Sequence, residues 1–148
     1  MDEFFEGKTQ IKGVNGLVFV GEKILTYLRD NKTSYYPNFI AYPGWHHKSG
    51  ETAFETFQRE LFEEFHLPVK KEEIIYIESI WSHKYPGNKE YFVVAKLSKH
   101  LEDQIQFGDE GKEYYLWTLQ ELVLREDVVP FLMSKTLDWL GMPRSSSG

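Results

Sequence analysis

The stretch from Thr52 to Phe65 constrains the fold more than any other part of the chain. Phe54, Phe57, Leu61 and Phe65 recur at steps of three and four residues, which places them on one stripe of an α-helix. The remaining positions include Glu60, Glu63 and Glu64, so this helix must bury one side and leave the other polar. Pro68 cannot continue a helix and closes the segment. Such a stripe needs an apolar surface to lie on, and the flanking sequence supplies strands.

Lys12 to Val20 predicts a strand around the run Leu17-Val18-Phe19-Val20, and Gly21-Glu22 predicts a turn into a second strand, Lys23 to Arg29. Asp30-Asn31-Lys32 has turn chemistry, and the aromatic segment Tyr35 to Tyr42 follows it. A loop from Pro43 to Gly50 leads to the helix. Strands are expected over Glu73 to Trp81, Glu90 to Leu97 and near Glu113 to Thr118, with Pro86-Gly87 between the first two. A short helix begins around Leu119, and Val128 to Leu140 predicts a second packing helix. Strands mixed with two helices far apart in sequence give the α/β class, an α/β/α sandwich with a sheet covered on both faces. The strand order does not follow from the pattern.

A chain of 148 residues with 41% hydrophobic residues suits one domain, expected over residues 1–144, with Ser145-Ser146-Ser147-Gly148 as a disordered tail. Its formal net charge of −6 opposes a broad nucleic-acid surface but not nucleotide binding, where a metal ion offsets phosphate charge locally. The absence of cysteine excludes disulfides and thiolate metal sites. Residues 1–10 lack the basic-then-apolar order of a secretory signal, and no apolar run approaches the roughly 20 residues that span a bilayer. No membrane association and a cytoplasmic location are the expectations.

On the helix, Glu60, Glu63 and Glu64 stand at i, i+3 and i+4 and share a face, where like charges cost a few tenths of a kcal/mol per pair. A solvated acidic face is the bland account. A divalent cation with oxygen ligands is the functional one, and Mg²⁺ suits a few carboxylates plus water and a substrate phosphate. Arg59, beside this face, is placed to orient a carboxylate by a bidentate contact.

The surroundings favour the functional account. Glu51, Arg59, Glu60, Leu61, Glu63, Glu64 and Leu67 match, in spacing, seven of the nine specified positions of G-x5-E-x7-R-E-U-x-E-E-x-G-U, with U aliphatic. This segment resembles the box of the Nudix (MutT-like) hydrolases, and Tyr42-Pro43-Gly44 resembles the strand end that enters it. Looser likeness extends over most of the chain, including Leu28-Arg29-Asp30 and residues 108–111. Two positions depart from the pattern: Trp45 and His66 stand where the box has glycine, and Lys48 stands where related sequences often have an acid.

The resemblance implies a Nudix-like sandwich and a metal-dependent hydrolase that cuts a diphosphate linkage in a nucleoside di- or triphosphate derivative. It implies Mg²⁺ as cofactor, with Mn²⁺ as the alternative. Glu60, Glu63 and Glu64 would be metal ligands, joined by the backbone carbonyl of Gly44, with one Glu helping to activate water. Glu51 would support the site and Arg59 would hold a Glu in place. A carboxylate from a separate loop would complete it: Glu110 first, then Glu113 and Asp109. Trp45 and Tyr42 are the aromatic candidates for stacking a nucleobase, Trp45 ahead of the rest because its loop should be exposed. The adjacent His46 and His47 suit a surface loop better than one metal. A small nucleotide-type molecule is the expected partner, and relatives occurring as monomers and dimers leave a homodimer open. The rival reading is a Nudix-fold nucleotide-binding module with impaired turnover, favoured by the two replaced glycines. A structural protein with an acidic helix comes third.

Overall fold

The computed structural model describes residues 2–7, 11–46, 50–81, 86–107 and 113–141. Its strands are β1 (Ile11–Val20), β2 (Lys23–Leu28), β3 (Ile40–Ala41), β4 (Gly44–His46), β5 (Ile74–Trp81), β6 (Lys89–Leu97) and β7 (Glu113–Thr118). Its helices are α1 (Asp2–Glu6), α2 (Ala53–Phe65), α3 (Leu119–Val123) and α4 (Pro130–Leu140), with 3₁₀ turns at Lys71–Glu73 and Lys99–Gln104. The strands form one mixed sheet in the order β3-β2-β1-β6-β5, with β4 paired to β1 and β7 to β2.

Alternation along β1 decides the layers. Val14, Val18 and Val20 turn to one face and meet Phe57, Leu61 and Phe65 of α2. Leu17 and Phe19 turn to the other face, the side of Leu122 in α3 and Leu132 in α4. The sheet is therefore covered by helices on both faces, as the sequence predicts. Gly16 lies under α2: a Cβ there would stand 2.5 Å from Phe57 Cε1, so a bare backbone is what lets the helix approach this closely.

The register of β1 and β2 creates the opening that matters for function. They pair only at their hairpin end, Val18–Val20 against Lys23–Leu25, and then separate. β4 takes the freed edge of β1 at Gly13–Asn15, and β3 takes that of β2 at Tyr27–Leu28. On its other edge β1 runs parallel to β6 over its whole length.

Two segments depart from the sequence expectations. The stretch Pro43 to Gly50, expected as a loop, contributes strand β4 at Gly44–His46, and in the aromatic segment before it Ile40–Ala41 is strand. Asp30 Oδ1 accepts from the amides of Lys32 and Thr33, and Tyr36 and Asn38 hold left-handed φ of 46° and 63°, which coils the intervening chain. The other departure is α1, which the sequence did not announce because five residues are too few for a periodicity. Phe4 is fully buried, with its ring edge-on to Tyr91 at 5.3 Å, and Glu3 pairs with Lys89 at 2.9 Å. Among the described residues no helix is long and apolar enough to cross a membrane.

Candidate active site

α2 is fixed at both ends. Thr52 caps its start: the Glu55 amide donates to Thr52 Oγ1 at 3.0 Å, and the Thr52 amide donates to Glu55 Oε1 at 2.9 Å. His66 ends it in the left-handed conformation, φ 58° and ψ 32°, with its amide donating to Phe62 O at 2.8 Å. That conformation crowds the Cβ of any L-residue. His66→Gly is expected to stabilise the fold by about 1 kcal/mol, raising the melting temperature by about 2–4 °C. Thermal unfolding checks this, and a lower melting temperature would show that His66 contributes more than its strain costs.

Held in this way, the helix gathers its charges around Arg59. The guanidinium grips Glu51 from two sides, Nε to Oε2 at 2.7 Å and Nη2 to Oε1 at 3.0 Å. Nη1 donates to Glu60 and, at 3.1 Å, to Glu63 Oε1. Thr56 Oγ1 donates to Glu51 Oε1 at 2.9 Å, so the carboxylate preceding the helix is tied to it twice. The hydrogen bonds Arg59 donates to Glu51 raise its pKa, burial opposes them, and Glu60 adds to the rise. Exposure separates the acids: Glu60 is 16% exposed and Glu63 54%, while Glu64 has Oε2 closed off from solvent. Four carboxylates against one guanidinium leave a formal charge of −3 on this face.

The donor set fits a hard divalent cation, since every available ligand is an oxygen and the local charge is strongly negative. The present arrangement is gathered on Arg59 instead. Among the described residues no three carboxylates converge on a point where an ion could sit. Gly44 is placed by the sheet, paired to Asn15 of β1, and a Cβ on it would fall 2.1 Å from Asn15 Oδ1. A side chain at position 44 would therefore require the Asn15 amide to move aside.

Where β1 and β2 separate, a cavity of about 220 Å³ opens. Gly44 and Tyr42 line it, together with Asn15, Arg29, Tyr35 and Glu90, and α4 closes it with Val129, Phe131 and Leu132. Tyr42 is buried, and its hydroxyl lies 2.6 Å from Thr136 Oγ1. Thr136 donates its own proton to Leu132 O at 2.8 Å, so Tyr42 is the donor in that pair and anchors the cavity wall to α4. Burial pushes its phenol pKa well up.

The structure thus brings together Glu51, Arg59, Glu60 and Glu63 through the guanidinium, and it sets Gly44 and Tyr42 on the cavity that α4 closes. Trp45 lies in β4 opposite Val14, but its side chain is outside the described set, as are Lys48, Asp109 and Glu110. Glu113 opens β7, where it accepts from the Tyr115 hydroxyl. Asn15, Arg29, Glu90 and Phe131 were missed by the sequence reading. Asn15 carried a signal, as a lone polar residue in the apolar part of a strand flanked by glycines.

No family model and no curated protein matches the chain. Solved structures do. The MutT protein from Methanosarcina mazei superimposes with a TM-score of 0.67 at 16% identity, covering 90% of this chain and 96% of that one. A Nudix hydrolase from Nitrosomonas europaea gives 0.61 at 21% identity, over 90% and 76% of the two chains. A bifunctional NMN adenylyltransferase/ADP ribose pyrophosphatase from Francisella tularensis, complexed with AMP and a manganese ion, gives 0.64 at 20%, over 90% of this chain and 42% of that one. With β1 to β7 sandwiched between helices and the capped acidic helix α2 laid across the sheet, this chain has the Nudix fold.

Proposed function

We propose that the protein is a divalent-metal-dependent hydrolase of a diphosphate linkage in a nucleotide-type small molecule. The observation that carries this is the acidic cluster of α2: Glu51, Glu60 and Glu63 gathered on Arg59, with Glu64 beside them on the same capped helix. An all-structural account leaves the charge repulsion on this face without a purpose. The complex from Francisella tularensis, a protein that includes a fold of this kind, contains AMP and a manganese ion, which is in keeping with this reading.

In this reading Glu60, Glu63 and Glu64, with the Gly44 carbonyl, hold Mg²⁺ or Mn²⁺. When bound, such an ion neutralises phosphoryl oxygens and makes water nucleophilic near neutral pH. The chain's own groups do the rest. Arg59 and Glu51 set the carboxylate directions, and one of the helix carboxylates accepts a proton from the attacking water. The cavity beside Gly44 takes the non-phosphate end of the substrate, leaving the diphosphate against α2. Glu110, which precedes β7 in sequence, is the further carboxylate proposed to join the site.

One observation favours a second reading, a binding module with impaired turnover: the carboxylates meet Arg59 rather than one another's oxygens. Hydrolysis assays separate the two. Nucleoside triphosphates, nucleotide sugars, ADP-ribose and dinucleoside polyphosphates are incubated with Mg²⁺ or Mn²⁺ and with chelator. Release of a nucleoside monophosphate that needs the metal and disappears in Glu63→Gln is expected. Stabilisation by the same compounds without turnover would establish the binding module instead.

A further inference from the structure

Thr56 and Thr136 are both fully buried within helices, and they use their hydroxyls differently. Thr136 in α4 donates to Leu132 O, the carbonyl four residues back, at 2.8 Å, which is the usual outlet for a threonine on a helix. In α2 the equivalent carbonyl, Thr52 O, accepts from the Thr56 amide at 3.0 Å, and the Thr56 hydroxyl passes it over. It donates instead to Glu51 Oε1 at 2.9 Å, five residues back and ahead of the helix. A hydroxyl without access to water has thus given its one proton to a carboxylate.

Glu51 needs such an anchor. It follows Gly50, whose φ of 89° turns the chain and where an added Cβ would meet nothing within 4 Å. The chain therefore reaches α2 from open space, and helix side chains hold the carboxylate: Thr56 on Oε1, Arg59 on both oxygens. Arg59 has a competing demand, because its Nη1 also serves Glu60 and Glu63. Three carboxylates divide one guanidinium, and long Glu and Arg side chains have many rotamers among which that division can drift. A buried, β-branched threonine in mid-helix has few. Thr56 is the stiff point of the cluster.

We infer that Thr56 is a positioning residue for the proposed hydrolysis: its hydroxyl sets the Glu51 carboxylate, Glu51 sets the Arg59 guanidinium, and Arg59 sets the directions of Glu60 and Glu63. Thr56 itself lies under the helix and acts only through Glu51. Partners that orient the ligands of a metal site carry about 10–100-fold in metal affinity or activity. The effect on rate rests on the proposed metal-dependent reading, whereas the effect on Arg59 does not. A packing role is the alternative, and the two are separable because valine has the shape of threonine without its donor.

Thr56→Val removes the donor and Thr56→Ser keeps it. In metal-free protein the Arg59 Nε–H resonance, read in proton–nitrogen correlation spectra, is expected to shift and to exchange faster with water in Thr56→Val. In Thr56→Ser it is expected to stay with the parent. With Mg²⁺ and the panel compound turned over fastest, Thr56→Val is expected to lose about 10–100-fold in kcat with KM within about 3-fold. Thr56→Ser is expected to recover most of that loss. The Mg²⁺ concentration giving half of the thermal stabilisation is expected to rise by about 10-fold in Thr56→Val. On a Glu51→Ala background Thr56→Val is expected to add no further loss, since its route runs through that carboxylate. Thr56→Ala repeats these measurements as a second hydroxyl-free variant, so the result does not hang on how one substitution folds. An unmoved Arg59 resonance, Thr56→Ser behaving as Thr56→Val does, or losses that add in full on Glu51→Ala would each overturn the assignment and leave Thr56 a packing residue. A parent that hydrolyses nothing, with an Arg59 resonance that moves in Thr56→Val, keeps the positioning of Glu51 and Arg59 and removes only the hydrolase reading.

Discussion

Glu60→Gln is expected to lower turnover of the best diphosphate substrate by about 1,000-fold while leaving the metal-free protein nearly as stable as the parent. Two small effects oppose each other in stability. The change weakens one contact to Arg59 at a partly exposed ion pair, and such pairs are worth about 0–1 kcal/mol. It also removes one of the like charges at i, i+3 and i+4, returning a few tenths of a kcal/mol per pair. Arg59 keeps its two-sided grip on Glu51 throughout. Under the proposed function the same carboxylate is a metal ligand, and losing it removes several kcal/mol of charge stabilisation where the phosphoryl oxygens react. Steady-state kinetics with Mg²⁺, beside melting curves with and without the ion, give both quantities. The parent is expected to gain stability from Mg²⁺ and the variant to lose that gain. Turnover within 10-fold of the parent would remove Glu60 from the metal site, and a large loss of metal-free stability would make it a structural ion-pair residue.

The helix that carries this site was legible in the sequence because its determinants are local. A stripe at Phe54, Phe57, Leu61 and Phe65 and Pro68 beyond the end lie in one short segment, and the observed span Ala53–Phe65 follows them closely. The carboxylate cluster was legible for the same reason, as a spacing on one helix. The ring of contacts around Arg59 was only half visible: a bidentate grip was foreseeable, but its reach to Glu51, Glu60 and Glu63 together depends on rotamers. The cavity was not legible at all. It forms where β1 and β2 part, and its walls come from β1, β2, β6 and the start of α4, segments separated by tens of residues. Such non-local pairing leaves no periodic trace at Arg29 or Glu90. Tyr42 shows the same limit from another side. Its aromatic character was plain, but its hydroxyl is committed to Thr136, 94 residues on, which no local pattern encodes.

The joint between α2 and the sheet is where stability and catalysis should part company most sharply. Gly16→Ala places a Cβ 2.5 Å from Phe57 Cε1, against a buried ring with no room to turn. Gly16 does not hold a left-handed φ, so backbone strain is not the cause; the cost is overpacking, about 2–3 kcal/mol. Phe57→Ala on its own should cost about 3–5 kcal/mol by leaving a cavity. Combined, the two changes answer each other, because the methyl enters space the ring has left. The double variant is expected to be more stable than the sum of the single losses by about 1–2 kcal/mol, measured by denaturant unfolding. Simple additivity would mean that the helix does not rest on the sheet at this point. The functional consequence runs through the same contact. α2 carries Glu60, Glu63 and Glu64, whereas Gly44 belongs to the sheet, so lifting the helix by an ångström moves the carboxylates relative to the carbonyl. Misplacement of that size costs about 100-fold in rate. Gly16→Ala, assayed where it is still fully folded, is therefore expected to lose about two orders of magnitude in activity through a residue that touches no substrate. Full activity in that variant would show that the helix shifts along its axis, keeping its distance from Gly44, or that the ring yields in its place.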